Sequence, residues 1–318
     1  MDRDLAILQE AFEVEVLKLE PRGLKYSWQA IFRLIWKSDL VFAWFGSMQF
    51  LPILALAKVL RKKIVVVAGG FDVAKDELLK HGAFCESPLR QWLRRLLFGL
   101  PDLVLSVSKA NQREALQNAK VPEHKSKMIY LGFAPPEKLE ALVPFSQRKD
   151  QVVMISMANE KVFRLKGIDQ LFAFAVANPD IPVKLMGACD DFVRERAKGI
   201  SNLELLGHLP FRGPKFNQIL NESKIALQLS HYESFGAAIV DAAVMGCHPI
   251  VTQQFALPEV VGTSGTVVAY GDMAELSRVV RQKMKENCDV TQTQQEFLSK
   301  FPLEKRRNEL VAAVKSLL

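Results

Sequence analysis

The sequence predicts an α/β chain built as two doubly wound, Rossmann-like domains in tandem. Short apolar, β-rich runs alternate with helical segments along both halves, the sequence form of parallel sheets covered on both faces. The 318 residues exceed the size at which one core keeps growing, so two domains of about 150 residues are expected. A polar connector at 146–150 separates the two alternating series.

In chain order, the first series has candidate strands at Val14–Leu19, Leu40–Phe45, Ile64–Ala68, Leu103–Val107 and Met128–Tyr130, with helices at Trp28–Trp36, Leu51–Leu60, Leu89–Phe98 and Ala110–Ala119. A helix at Leu5–Phe12 comes before the first of these strands. A doubly wound domain ordinarily opens with a strand and a tight glycine-bearing turn, so a first strand is expected to be missing. The second series places strands at Val152–Ser156, Val183–Met186, Leu203–Leu206, Ile225–Leu229 and Pro249–Val251, and helices at Ile168–Ala177, Asp191–Ala197, Pro214–Asn221 and Ala237–Met245. Such sheets bind ligands beyond the carboxyl ends of their strands, and two facing domains would leave a cleft there. The active site is expected in it.

Composition narrows the class. A hydrophobic share of 49% with 24% charged residues is that of a globular protein. The 42 Lys+Arg against 35 Asp+Glu leave a formal charge of +7, which suits phosphate-bearing ligands, nucleic acid or an anionic membrane surface alike. Cys85, Cys189, Cys247 and Cys288 are far apart and form no C-x-x-C pair, so neither a zinc site nor a disulfide framework is suggested, and reduced thiols in a cytoplasmic protein are expected. His81, His124, His208, His231 and His248 show no metal spacing. Charged residues from Asp2 to Glu15 interrupt any apolar leader core, so no signal peptide is expected. Leu40–Ala57 has no charged residue and approaches the length of a membrane span, but Gly46, Ser47, Gln49 and Pro52 break it and its first half reads as a buried strand.

The most informative segment runs from Ser230 to Thr252, SHYESFGAAIVDAAVMGCHPIVT. It follows a strand, enters a helix of small residues at Gly236–Ala238 and leaves through Gly246 into another strand. A glycine-bearing loop opening a helix presents backbone N–H groups and the positive end of a dipole, an anion site. Glu233 before the helix and Asp241 after its first turn can bracket a ligand, carboxylates being good acceptors for paired sugar hydroxyls. The plain alternative is a solvated Glu233 and a helix-starting Asp241.

This segment closely resembles glycosyltransferase family 4, whose signature has two acids separated by seven residues. Ser230, Glu233, Gly236, Ala242 and Gly246 fall in its register, while Asp241 replaces the usual second Glu and Pro249 arrives one place late. A second match, Phe163-Arg-Leu-Lys-Gly-Ile-Asp169, resembles the family's Lys-Gly segment, with Lys161 where an Arg is usual and Arg164 nearer. Weaker echoes are Leu206–Pro210, Leu257–Glu259, Val107–Lys109, Ile129–Gly132 and Val67–Val73.

The resemblance implies a GT-B fold with an acceptor-side domain at 1–147 and a nucleotide-sugar domain at 148–318, its last helix packing back on the first domain. It implies a retaining transferase, metal-independent and without a cofactor, that uses a nucleoside-diphosphate sugar. Glu233 would contact the donor sugar and Lys166 the donor phosphates, with Arg164 or Lys161 as partner cation. The loop from Ser234 and Phe235 through the amides of Gly236, Ala237 and Ala238 would meet the diphosphate, Asp241 the ribose, and Gly207 would flank the base. Gly69, Gly70 and Asp72 would face the acceptor, a glycan or glycolipid, although Gly69 and Gly70 also suit a plain tight turn. The partners expected are these two substrates, with peripheral contact to an anionic membrane at its inner face and no nucleic acid. Leu89–Phe98 is a basic amphipathic helix that can rest on such a membrane, while its place before a strand favours ordinary packing on the sheet. Two other readings stay open: a related nucleotide-sugar epimerase or sugar-phosphate transferase, and a non-catalytic GT-B-like binding subunit.

Overall fold

The computed structural model describes residues 2–18, 27–136 and 141–318. The chain divides into two compact units, Met1–Gly132 with Glu304–Leu318, and Phe133–Leu303. The crossing after Gly132 comes ahead of the 147/148 boundary expected from the polar connector. Phe133 already belongs to the second unit: its N–H donates to the Phe301 carbonyl at 2.8 Å and its carbonyl accepts from Leu303 at 3.0 Å.

The first unit runs α1 (Asp2–Ala11), α2 (Trp28–Lys37), β1 (Leu40–Trp44), α3 (Leu51–Val59), β2 (Lys63–Ala68), α4 (Pro88–Gly99), β3 (Leu103–Ser106), α5 (Lys109–Gln117) and β4 (Ser126–Met128). Its strands form one parallel sheet in the order β1-β2-β3-β4. Side chains alternate across a strand, and Ile64, Val66, Ala68 and Val104 join Ile31, Ile35, Leu54, Leu97 and Phe98 of the helices in one core. Val65, Val67 and Leu105, on the opposite face, are also fully buried. The charge-free stretch Leu40–Ala57 is thus strand, loop and helix, and among the described residues no helix is long and apolar enough to cross a membrane.

Two sequence expectations move. Residues 13–18 form no strand, and Leu19 lies outside the described residues. The alternation there has the period of a strand, but a strand exists only with a ladder partner, and no ladder among the described residues includes it. The strand expected at Met128–Tyr130 is instead Ser126–Met128, because its register is set by Val104–Ser106 of β3; the apolar Ile129 is buried just beyond the ladder.

The last helix returns to this unit. Arg306 grips Asp4 of α1 bidentately, Nη2 to Oδ2 at 2.7 Å and Nε to Oδ1 at 3.1 Å, while Nη1 donates to the Ile129 carbonyl at 2.7 Å. Arg306 is 2% and Asp4 3% exposed. Removing one partner strands a buried charge, which costs about 3–5 kcal/mol. Asp4→Ala is therefore expected to destabilise the first unit by that amount. All four tryptophans, Trp28, Trp36, Trp44 and Trp92, lie in this unit, so their fluorescence in a urea titration reads its transition directly.

The second unit contains β5 (Lys149–Ile155), α6 (Ile168–Ala177), β6 (Val183–Met186), α7 (Asp191–Ala197), β7 (Leu203–Gly207), α8 (Pro214–Glu222), β8 (Ser223–Gln228), α9 (Ala237–Val244), β9 (His248–Thr252), α10 (Leu257–Val261), β10 (Thr266–Val268), α11 (Met273–Lys285) and α12 (Val290–Lys300), and α13 (Leu303–Lys315) carries the chain back. Its six parallel strands have the order β10-β9-β8-β5-β6-β7. β10 and the helices from α10 to α12 were not foreseen as elements; β10 has only three residues, too few to carry a period.

His248, on β9, is pushed down to about 4, chiefly by burial and then by the Lys283 charge, against an opposing pull from Glu286. Its Nε2 is 2.9 Å from the Thr266 hydroxyl. A histidine held neutral in the fold gains a proton only in the unfolded chain as pH falls below its ordinary 6.5, so its contribution is present at neutral pH and is lost between about 6.5 and 4. Thermal melts by circular dichroism at pH 7.5 and 4.5 are expected to show a larger acid loss for the parent than for His248→Gln, by up to on the order of 3 kcal/mol.

Candidate active site

The strand order of the second unit turns around between β5 and β8. From β5 the chain moves outward through α6 to β6, and from β8 it moves the other way through α9 to β9. At such a switch point the loops at the two carboxyl ends part, and the crevice between them is where doubly wound sheets take ligands. The loop after β5 ends in Lys166 and Gly167; the loop after β8 carries Ser230 to Gly236.

Two glycines let these loops pack closely against their neighbours. Gly167 caps α6 at φ +68°, and a Cβ on it would lie 2.0 Å from the Leu229 carbonyl oxygen. Gly236 caps α9 at φ +89°, and its Cβ would lie 2.8 Å from Leu257 Cδ2. Both conformations are open to glycine and strained for other residues. The contact is then sewn by backbone: His231 N–H donates to the Leu165 carbonyl at 2.9 Å. The Thr252 hydroxyl donates to the Ser230 carbonyl at 2.7 Å, and Ala256 N–H donates to the Glu233 carbonyl at 3.3 Å. The segment Leu257–Glu259 opens α10 directly beyond this last contact.

Across the loops, Lys166 Nζ donates to Glu233 Oε1 at 2.6 Å, with 30% and 13% of the two side chains exposed. The same oxygen accepts from Gln228 Nε2 at 3.2 Å and lies 3.3 Å from the Ser230 hydroxyl, which itself accepts from Gln228 at 2.7 Å. Gln228 is a partner that sequence reading missed; it ends β8, and its polarity within the otherwise apolar run Ile225–Leu229 was the available signal. Beyond Glu233, α9 begins at a glycine with no side chain to cap it, so its first-turn amides and the positive dipole end face outward from the helix axis. A cation, a carboxylate and an uncapped helix start together form a site for an anion joined to a hydroxylic group.

The other anticipated residues divide. Lys161 and Arg164 are exposed on the short turn leading to Lys166, and Ser234, Ala237 and Ala238 are partly exposed. Phe235 is 2% exposed, its ring stacked on Phe133 at 6.0 Å and edge-on to Phe301 at 5.2 Å, so it has only backbone to offer a ligand. Asp241 is paired with Arg212, Nη2 to Oδ1 at 3.0 Å. Arg212 was not foreseen; it sits on the loop after β7 at φ +57°. Gly207, at the start of that loop, accepts from Gly187 N–H at 2.9 Å. His208 is exposed, and the buried His231 ring is edge-on to Tyr270 at 5.0 Å.

In the first unit, Asp72 is 4% exposed and its carboxyl accepts backbone N–H groups of Gly46 at 2.6 Å, Gly69 at 3.0 Å and Gly70 at 2.9 Å. Burial pushes its carboxyl above the ordinary range while those amides pull it back. What Asp72 does in this structure is tie the loop after β1 to the loop after β2. Among the described residues no group of three or more His, Cys, Asp or Glu is placed to hold a metal.

Residues 165–286 match the family described as glycosyl transferases group 1. The match is confined to this stretch of the chain. It begins at the Lys166 loop and contains the whole of the Glu233–Asp241 motif. The N-acetyl-alpha-D-glucosaminyl L-malate synthase of Bacillus anthracis is 28% identical over 143 residues, 43% of this chain and 37% of that protein; the chain thus spans little more than a third of the length of that relative. The fold is that of GT-B glycosyltransferases. The structure of Anabaena Alr3699/HepE in complex with UDP and glucose superposes with a TM-score of 0.71 at 18% identity, covering 98% of this chain and 89% of that one. Sucrose-phosphate synthase from Thermosynechococcus elongatus gives 0.68 at 15% identity, covering 96% and 86%.

The glycine at 167 offers a test of how the two loops of the matched segment depend on each other. Gly199 has a comparable φ of +84° with nothing within 4 Å of an added Cβ, so Gly199→Ala should cost only the left-handed backbone, about 1 kcal/mol. Gly167→Ala adds the clash with Leu229 and is expected to cost about 2–4 kcal/mol in total. Differential scanning calorimetry of the two variants reads the difference; equal losses would show that the loops are not pressed together.

Proposed function

We propose that the chain is a retaining glycosyltransferase that moves a sugar from a nucleoside-diphosphate donor to an acceptor hydroxyl, without a metal or other cofactor. The observation that carries this reading is the Lys166–Glu233 pair at the switch point beside the uncapped start of α9. When the bond between the anomeric carbon and the diphosphate oxygen breaks, negative charge grows on the diphosphate. Lys166 and the first-turn amides of α9 stand where that charge would be held, an electrostatic form of catalysis. Glu233 offers its second carboxylate oxygen to the sugar and its charge to the oxocarbenium character at the anomeric carbon. Ribose hydroxyls would meet the Arg212–Asp241 pair as a unit, the shorter acid being extended by the guanidinium that it binds. The Alr3699/HepE structure contains UDP and glucose, which makes a UDP-sugar the first donor to try; the acceptor would be a glycan or glycolipid.

The test is nucleotide binding by calorimetry and nucleotide release by chromatography across UDP-, GDP- and ADP-sugars. Lys166→Met removes a charged hydrogen-bond donor, worth about 1.5–3 kcal/mol, and is expected to weaken nucleoside-diphosphate binding about 10- to 100-fold. Glu233→Gln keeps the shape and is expected to leave binding within about threefold while release falls on the order of 10²-fold. Binding of no nucleotide by the parent would end the reading, and binding with undiminished turnover in Glu233→Gln would remove Glu233 from the chemistry.

A further inference from the structure

The helices α3, α4 and α5 are successive crossovers between adjacent parallel strands taken in one direction, β1 to β4. Right-handed crossovers that keep one direction lie on one face of a sheet, and the core that joins Ile31 and Ile35 of α2 to Leu54, Leu97 and Ala115 with a single face of the strands places α2 in the same layer. The outward sides of these helices therefore form one surface of the first unit.

That surface carries apolar rings in a row. On α2, Ile31 and Ile35 turn inward, while Trp28, Phe32 and Trp36, at successive i, i+4 positions, are 50%, 43% and 61% exposed. Phe32 and Trp36 stack at 5.8 Å. On α4, Leu97 and Phe98 turn inward, and Leu89, Trp92 and Leu96 are exposed. Singly exposed apolar residues are ordinary, but an aligned row of large rings is a patch that calls for an occupant.

Its electrostatics select one. Arg33 and Lys37 follow Phe32 and Trp36 by one position, making the next row around α2, and both are exposed. Arg61 and Lys63 are exposed where α3 passes into β2, and Lys62 Nζ donates to the Trp36 carbonyl at 2.9 Å. From residue 33 to residue 63 the acidic side is represented by Asp39 alone, against Arg33, Lys37, Lys58, Arg61, Lys62 and Lys63; Lys58 is paired with Asp102. Tryptophan at headgroup depth beside Lys and Arg is the arrangement of a helix lying in a bilayer interface. A second copy meeting the same face across a two-fold axis would set these cations against themselves.

We infer that the α2 face of the first unit docks on an anionic lipid surface. The rings enter the interface and the cations hold phosphate headgroups. This surface lies in a different unit from the matched segment, and its test does not depend on the reading of that segment.

The experiment is flotation of the full 318-residue chain with vesicles of phosphatidylcholine alone and of phosphatidylcholine with about a third phosphatidylglycerol, with tryptophan emission recorded in parallel. The expected result is capture by the anionic vesicles with a blue shift in emission, at least about tenfold weaker on neutral vesicles or in about 0.5 M salt. Arg33→Gln/Lys37→Gln removes two cations, each worth roughly fivefold near a charged surface, and is expected to weaken capture by about tenfold or more. Phe32→Ser/Trp36→Ser should abolish it. Both double variants alter exposed side chains, and their far-ultraviolet spectra and melting curves are expected to match the parent; the charge variant tests the surface even if the aromatic one does not. Absence of capture by anionic vesicles would overturn the inference, as would capture that survives both double substitutions. Light scattering that shows a dimer dissociated by Phe32→Ser/Trp36→Ser would overturn it too, assigning the face to a second copy.

Discussion

Lys166 and Glu233 stand 67 residues apart in the chain and 2.6 Å apart in space, and the candidate active site is organised around what brings them together. The outward turn from β5 and the opposite turn from β8 leave two loops side by side at the carboxyl ends of neighbouring strands. Gly167 lets the first loop press against Leu229 of the second, and the Leu165 carbonyl takes the His231 amide. With the backbones held, Glu233 has little choice of direction: Gln228 and Ser230 hold the same oxygen that Lys166 reaches. An ion pair half screened from water is stronger than one on the surface, and it leaves the other carboxylate oxygen and two ammonium hydrogens available to a ligand.

A second ion pair lies further along the motif. Asp241 on α9 meets Arg212 from the loop after β7, so both acids of the motif are paired with cations from other loops. The charge of the site is balanced before any ligand arrives, and the uncapped start of α9 remains as its positive end. An anion entering there meets prepaid dipoles rather than groups that must reorganise, which is the condition for strong electrostatic stabilisation. The aromatic group of Phe133, Phe235 and Phe301 forms the apolar floor behind the loop.

The first unit is held by a different device. Its sheet is short and its first and last helices come from opposite ends of the sequence, clasped by the buried Arg306–Asp4 fork and its bond to the Ile129 carbonyl. Buried charges are costly unless fully bonded, and here both oxygens of Asp4 and all three guanidinium nitrogens of Arg306 are engaged. The same unit turns Trp28, Phe32 and Trp36 of α2 and Trp92 of α4 outward, more than the scattered single apolar residues of an ordinary surface.

Much of this was legible in the sequence. Strands buried on both faces announce themselves as apolar runs that alternate with helical segments, so Ile168–Ala177, Val183–Met186 and Asp191–Ala197 come out residue for residue. Glu233 and Lys166 stand out because chemistry at a helix start needs a carboxylate, a cation and small residues at set spacings. Four things needed the tertiary structure: the register that moves β4 to Ser126–Met128, the recruitment of Arg212 and Gln228 to the motif acids, the inward turn of Asp72 onto three amides, and the outward row on α2. The β4 register, the Arg212 pairing and the Gly46 amide on Asp72 each depend on a neighbour distant in sequence, and Gln228 reaches Glu233 only because the loop after β8 folds back on its strand. Local propensity and spacing are written in consecutive residues, whereas pairing, burial and the partner of a charge are set by which segments the fold lays side by side.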